Sequence, residues 1–339
     1  MSETIGLDIG TYSIKLVKLK RRGKNFSVVD FGAAYNPVGQ VIPADGRQQQ
    51  QLAVAVKKLV TEHKISGESL VMALPDTAAF TNVITMPALS DTELSSAIKW
   101  EAEQHVPVPL DQVNLEYEVL YRPKKRGTSE KMEILLVAAQ KNMIKGYVAL
   151  AEAVGIEVKA LETEVIAAIR SLFRREDQSI SLVCHFGATS VGLAVVHLSR
   201  LAMTHSVPVA GLALTRAIES GLGLDASRAE EYKRTYGLDG AQLEGKVRGA
   251  MLPVMERVLS EIRKTLQFFA TQRSGVAVQR VILSGGSAHL PGLATYMAEL
   301  LALEVVVGNP FEGMEGRVKL PGDYAAYSVC VGLAEREEL

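Results

Sequence analysis

The residues best suited to chemistry sit in two turns of the same design. One lies in Ile5-Gly6-Leu7-Asp8-Ile9-Gly10-Thr11-Tyr12-Ser13-Ile14-Lys15-Leu16-Val17. The other lies in Leu182-Val183-Cys184-His185-Phe186-Gly187-Ala188-Thr189-Ser190-Val191-Gly192-Leu193-Ala194. Each is an apolar strand, a turn of glycine and hydroxyl residues, and a second apolar strand. Small turn residues let backbone N–H groups come close to an oxyanion, so phosphate is the natural ligand. Two such turns predict two similar halves gripping one polyphosphate. In the first, Asp8 could hold Mg²⁺ through water, the amides of residues 10–13 could face phosphate, and Lys15 could neutralise it. In the second, Gly187, Ala188, Thr189 and Ser190 offer the same amides, but His185 stands where the first turn has Asp8. A neutral imidazole is a poor ligand for hard Mg²⁺, and a protonated one repels it. His185 could instead hydrogen-bond a phosphate or be a satisfied histidine at a strand end. The change therefore bears on hydrolysis more than on binding. A third stretch, Ser284-Gly285-Gly286-Ser287, follows an apolar strand and precedes a helix. A glycine pair there admits a nucleoside to the backbone, and the helix N-terminus adds positive potential.

The elements that must position these turns follow from periodicity. Residues 3–35 read as strands: a hairpin through the first turn, then 25–34. Leu52, Val56, Leu59 and Val60 at helical spacing predict a helix over 48–64. Residues 70–74 read as a strand, with 79–86 pairing with it or extending its sheet. Ser90 and Glu93 form a capping box opening a helix that ends at Val106-Pro107-Val108-Pro109. Strands over 113–121 and 132–139 and a helix over 142–154 complete an α-β-β-α unit of about 88–155. A strand over 157–161 and a helix over 164–173 lead to the second half, which begins near Ser179. Its strands are 180–185, 191–198 and 202–207. Helices follow over 212–220, 226–236 and within 244–273, the last with Pro253 near a start or kink. Strands over 281–283 and 304–307, a helix over 293–301, an irregular loop over 310–322 and a closing helix over 324–335 finish the chain. Trp100 reads as a core residue, and Arg122-Pro123-Lys124-Lys125-Arg126-Gly127 as a solvated hairpin tip.

Composition narrows the function classes. The chain has 339 residues, 47% hydrophobic and 22% charged, which suits a globular protein of two or more domains. A formal net charge of -1 gives no general attraction to nucleic acid or anionic lipid. Cys184 and Cys330 lie in apolar segments and read as buried and reduced. With no basic-then-apolar leader and no apolar run of membrane-spanning length, the chain is expected to be cytoplasmic. The acidic end, Glu335-Arg336-Glu337-Glu338-Leu339, does not read as a basic amphipathic anchor, so membrane association is expected only through a partner.

The three glycine-rich segments in this order resemble the actin-like ATPase superfamily, and within it the PilM family of type IV pilus assembly. The resemblance covers nearly the whole chain. It is carried by Leu7-Asp8-Ile9-Gly10-Thr11 and by Met86-Pro87-Ala88-Leu89-Ser90-Asp91-Thr92-Glu93-Leu94 with Trp100-Glu101-Ala102-Glu103-Gln104-His105. Ala229-Glu230-Glu231-Tyr232-Lys233, Leu283-Ser284-Gly285-Gly286-Ser287, Leu290-Pro291-Gly292 and Asn309-Pro310-Phe311 complete it. It implies an α/β, actin-like (ribonuclease H-like) ATPase fold, with two similar halves around a nucleotide cleft and an inserted FtsA-like α+β subdomain. The implied divisions are 1–87 with the closing helix of about 320–339 packing back, 88–155 as the insert, and 156–319 as the second half.

The resemblance also implies ATP and Mg²⁺ as ligands. Glu230 and Lys233 would hold ribose and adenine, Gly285, Gly286 and Ser287 would pass under the adenosine, and Gly211 would join the nucleotide contacts. Glu164 could orient an attacking water by its position in the superfamily; read from the residues alone, Glu162 and Glu164 are carboxylates favoured at a helix N-terminus. The family usually carries Asp where His185 stands, so weak or absent hydrolysis is expected. The implied partner is the cytoplasmic N-terminal tail of a PilN-like inner-membrane protein, alongside other pilus platform components and self-association. A membrane-linked FtsA-like filament protein and a sugar-kinase-like enzyme are the competing readings. The kinase lacks a convincing acceptor motif.

Overall fold

The computed structural model describes residues 3–23, 25–65, 69–123, 130–173, 178–273, 275–315 and 319–336. In chain order the elements are β1 (Glu3–Ile9), β2 (Ser13–Arg22), β3 (Asn25–Tyr35), α1 (Gly46–Glu62), β4 (Ser69–Leu74), β5 (Ala79–Met86), α2 (Asp91–His105), β6 (Val113–Tyr121), β7 (Met132–Gln140), α3 (Lys141–Val154), β8 (Glu157–Thr163) and α4 (Glu164–Leu172). There follow β9 (Ser181–Phe186), β10 (Val191–His197), β11 (Arg200–Val207), α5 (Gly211–Leu222), α6 (Ala226–Tyr236), α7 (Lys246–Gln272), β12 (Arg280–Ser284), α8 (Leu293–Leu301), β13 (Glu304–Val307) and α9 (Ser328–Ala334).

Two sheets repeat one plan. The first has strand order β3-β2-β1-β4-β8 and the second β11-β10-β9-β12-β13. In each, an antiparallel meander leads into two parallel strands, β1 beside β4 beside β8 and β9 beside β12 beside β13. The central strands β9 and β10 are buried almost throughout, as strands covered on both faces must be. Leu214, Ile218, Met251, Met255 and Leu259 from α5 and α7 cover one face of the second sheet. Leu52, Val56 and Leu59 from α1, with Tyr147, Leu150 and Val154 from α3, cover one face of the first. Helix α4 lies between the halves. Val165 packs with Val183, Ala194 and Ile282, and Ala167 and Ala168 pack with Val329 and Leu333 of α9. The closing helix α9 thus returns to the first sheet, where Cys330 and Val331 meet Val17 and Leu19.

The third sheet, β5-β7-β6, has its own core with α2, built on Ile84, Leu94, Ile98, Ile134 and Leu136. The Ser90–Glu93 capping box is present, with the Glu93 amide donating to Ser90 Oγ at 3.3 Å and the Ser90 amide to Glu93 Oε2 at 2.7 Å. Three expectations change. Strand β5 pairs with β7 rather than joining the first sheet, because its alternate residues complete the apolar face over α2. Helix α3 packs under the first sheet rather than with the α-β-β-α unit. Trp100 is not a core residue: it is 74% exposed, since Leu94, Ile98 and Ala102 already supply the buried stripe of α2. Pro253 lies inside α7, seven residues beyond its start. The tip residues 124–129 and the end residues 337–339 lie outside the described residues.

Candidate functional site

The two halves face each other across a cleft of about 720 Å³. Asp8, Gly10, Thr11, Tyr12, Ser13 and Lys15 line it from the first half. Gly187, Ala188, Thr189, Ser190, Gly211, Glu230, Lys233, Gly285, Gly286 and Ser287 line it from the second, and Glu164 lies at its floor. Every candidate residue named from sequence therefore borders one cavity, although the chain separates them by as much as the span from Asp8 to Ser287.

The two turns are built alike. The Gly10 amide donates to the Ser13 carbonyl at 3.0 Å, and the Gly187 amide donates to the Ser190 carbonyl at 3.0 Å. Across the first ladder Asp8 pairs with Lys15, and across the second His185 pairs with Gly192. Lys15 Nζ lies 3.2 Å from Asp8 Oδ2, and the Asp8 carboxylate holds the buried ammonium charged, above its ordinary range. Asp8 Oδ1 is buried without a partner in the protein. A buried acceptor left open beside a phosphate-sized space fits a water on Mg²⁺, an ion that keeps several waters and takes few protein carboxylates. Among the described residues no group of three or more His, Cys, Asp or Glu side chains is arranged to hold a metal ion.

His185 is buried and shares a hydrogen bond of 3.1 Å with Ser284 Oγ. Burial pushes its pKa down to about 4, so the imidazole is neutral at physiological pH. It borders the cleft as a neutral hydrogen-bonding group, not as a charge.

The far wall is a hydrogen-bonded cage. Helix α6 begins at an Asp225 cap, and the one-turn spacing of Glu230 and Lys233 puts both on the inner face. Lys233 Nζ donates to Glu230 Oε2 at 2.6 Å, to Thr215 Oγ1 at 2.8 Å and to the Gly211 carbonyl at 3.1 Å. Against the effect of burial, hydrogen bonds donated by Lys233, Arg234 and Thr215 hold the Glu230 carboxyl below its usual range. The start of α5 is fastened to the second turn, with the Leu212 amide donating to the Ala188 carbonyl at 2.8 Å. Gly285 has φ +87°, and a Cβ there would lie 2.4 Å from the Phe186 carbonyl, so only glycine fits. Gly286 has open space where its side chain would be, which suits a segment passing beneath a ligand.

Glu164 opens α4, while its neighbour Glu162 is held by Arg170 at 2.6 Å. Three residues packed behind the lining of the cleft escaped sequence reasoning. Asp76, between β4 and β5, accepts from the Val165 amide at 3.1 Å, and its own amide donates to Glu164 Oε2 at 3.4 Å. It caps α4 from the turn between β4 and β5, in place of Thr163, whose hydroxyl is buried and unpartnered. Removal from water raises Asp76 to about 7 and, with the charges of Asp76 and Asp8, raises Glu164 well above the carboxylate range. Asp76 Oδ2 occupies space that a Cβ at Gly192 would approach to 2.7 Å. Tyr147 is fully buried with an unpartnered hydroxyl, and the charges of Glu164 and Asp8 add to burial in raising its pKa. Thr215 completes the Glu230 cage. No sequence signal marked any of these; each is a common residue type made special by neighbours distant in the chain.

Comparison with known proteins agrees with this geometry. A family profile described as "Type IV pilus assembly protein PilM" matches residues 6–338. A solved PilM–PilN type IV pilus biogenesis complex superposes with a TM-score of 0.85 at 25% identity, covering 98% of each chain. MreB5 of Spiroplasma citri, solved with ADP, superposes with a TM-score of 0.53 at 13% identity, covering 98% of this chain and 95% of that one. The cell division protein FtsA of Escherichia coli K12 is 24% identical over 237 residues, 61% of this chain and 55% of FtsA. The chain thus spans about half the length of the curated relatives it matches. The fold is the actin-like ATPase fold, and the chain belongs to the PilM family of type IV pilus assembly proteins.

Proposed function

We propose that the chain is a nucleotide-binding scaffold of the type IV pilus inner-membrane platform. It holds Mg²⁺–ATP in the cleft, turns it over slowly or not at all, and binds the cytoplasmic N-terminal tail of a PilN-like membrane protein. The observation that carries the nucleotide half is the meeting of both turns, the Glu230–Lys233 cage and the Gly285–Gly286 pair around one cavity. The turn amides and Lys15 suit the phosphates, the α6 cage suits the sugar, and Gly285, Gly286 and Ser287 suit the nucleoside. When bound, Mg²⁺ would neutralise phosphate charge, with Asp8 Oδ1 taking one of its waters.

Slow turnover follows from proton affinities. Burial, with the charges of Asp76 and Asp8, raises the Glu164 carboxyl well above the carboxylate range and disfavours its ionised form. His185 is neutral but too weak a base at about 4 to accept a proton readily near pH 7. His185 is therefore not matched to proton abstraction near pH 7.

The partner half rests on the solved PilM–PilN complex, similar to this chain over 98% of both lengths. By the family resemblance, the tail would lie between the unit carrying the third sheet and the first sheet. No described helix is long and apolar enough to cross a membrane, so the partner supplies the membrane link. Calorimetric titration with Mg²⁺–ATP and then with a synthetic PilN N-terminal peptide tests the reading. Binding of both is expected. Peptide binding without ATP would reduce the chain to a nucleotide-free adaptor, and binding of neither would end the proposal.

A further inference from the structure

We propose that Arg234 is a positioning residue of this cleft, clasping the second half to the first across its mouth and setting how long a bound nucleotide stays. The inference rests on the nucleotide reading of the cleft. Arg234 follows Lys233 on α6, and the two cations hold the same carboxylate from opposite sides. Lys233 Nζ meets Glu230 Oε2 from the buried side at 2.6 Å, and Arg234 Nε meets Glu230 Oε1 from the solvent side at 2.8 Å. Both carboxylate oxygens are thereby fixed, so Arg234 orients the group assigned to the ribose.

The same guanidinium reaches across the cleft. Its Cζ lies 5.3 Å from the centre of the Tyr12 ring, on the tip of the first turn. Tyr12 is held in turn by Tyr35, edge to face at 5.6 Å and 86°. Tyr12, Tyr35, Glu230 and Arg234 all border the cavity, two from each half. One planar cation thus joins the phosphate turn of one half to the sugar-side carboxylate of the other. Arg234 is 56% exposed, so the stacking works in partial contact with water and is weak by itself. A ligand filling the cleft beneath it excludes that water and strengthens the contact, and a ligand leaving by the mouth must break it. Lysine would keep the charge but lose the flat face that stacks on Tyr12.

The test is the release of a fluorescent ATP analogue chased by excess ATP in stopped flow. Release is expected to be about tenfold faster in Arg234→Ala and Tyr12→Ala, and within about twofold of wild type in Tyr12→Phe, which keeps the ring. The double variant Arg234→Ala/Tyr12→Ala is expected to release no faster than the faster single, because both remove one contact. Unaltered release in Arg234→Ala, or effects that add in the double variant, would overturn the clasp. Amide hydrogen exchange of residues 10–13 in the nucleotide-free protein supplies an independent reading. It should quicken in Arg234→Ala and Tyr12→Ala while the β9–β10 ladder stays unchanged, and identical exchange in wild type and variants would overturn the clasp. If wild type binds no analogue, the nucleotide reading of the cleft fails, and the exchange result alone decides the clasp.

Discussion

The first and second turns share a backbone and differ in what it carries. Both close with the same glycine-to-serine hydrogen bond at 3.0 Å. The first presents an ion pair, Asp8 with Lys15, and leaves one carboxylate oxygen open. The second presents a neutral imidazole opposite a glycine, and the carboxyl of Asp76 fills the room that glycine leaves. Anion binding by turn amides survives such a change because it uses main-chain groups. Charge chemistry does not, because it needs an ionised side chain at a fixed place. On the proposed reading the first turn would take both phosphate and metal, and the second phosphate alone.

The largest test of this contrast is Asp8→Ala against His185→Ala. Asp8→Ala should weaken Mg²⁺–ATP binding about a hundredfold and cost about 3 kcal/mol of stability by stranding the buried Lys15 ammonium. His185→Ala should change the same affinity by less than about threefold, since it removes one neutral hydrogen-bonding group. Calorimetry and denaturant melts read both, and equal losses would erase the distinction between the turns. Next in size is Gly192→Ala. A Cβ placed 2.7 Å from Asp76 Oδ2 forces the carboxyl off the start of α4, and about 2 kcal/mol of stability should be lost in urea melts. If Asp76 does not hold this position, the loss will be absent.

His185→Asp sharpens the comparison by making the second turn like the first. Phosphate release from Mg²⁺–ATP should rise about tenfold, or about 1.4 kcal/mol of barrier. An unchanged rate would place the block at Glu164. The same variant should remove a pH effect. His185 titrates near 4 when folded and near 6.5 when unfolded, so the unfolded chain binds the extra proton in that window. Its contribution to stability is full above about 6.5 and is lost as pH falls toward 4.

Asp76 has the opposite sign. Its folded value of about 7 exceeds the ordinary 3.8, so the folded chain binds the extra proton and stability falls as pH rises across that window. Asp76→Asn keeps an acceptor for the Val165 amide and removes the titration. It should raise stability at pH 8 and leave it nearly unchanged at pH 4. Melting curves at the two pH values check it.

Much of the cleft was legible because its backbone chemistry is local. A strand, a glycine turn and a second strand specify a hairpin within a dozen residues, and the Glu230–Lys233 spacing places both on one helix face whatever surrounds them. The capping box at Ser90 was legible for the same reason. Strand β5 was not, since an alternating strand announces a half-buried face without naming the sheet that it joins. Trp100 was misread because residue type suggested burial, while the stripe of Leu94, Ile98 and Ala102 had already filled the core side of α2.

The sequence by itself determined two glycine turns of one design, a glycine pair between a strand and a helix, and His185 in the second turn where the first has Asp8. These are properties of covalent neighbours. Only the tertiary structure decided the proton affinities at the cleft floor and the contacts across its mouth. Asp76 caps α4 from 89 residues away, and desolvation, with the charges of Asp76 and Asp8, raises the Glu164 carboxyl well above its ordinary range. Arg234 reaches Tyr12 from the opposite half. Desolvation and through-space charge depend on which segments pack together, and no pattern within one segment encodes them.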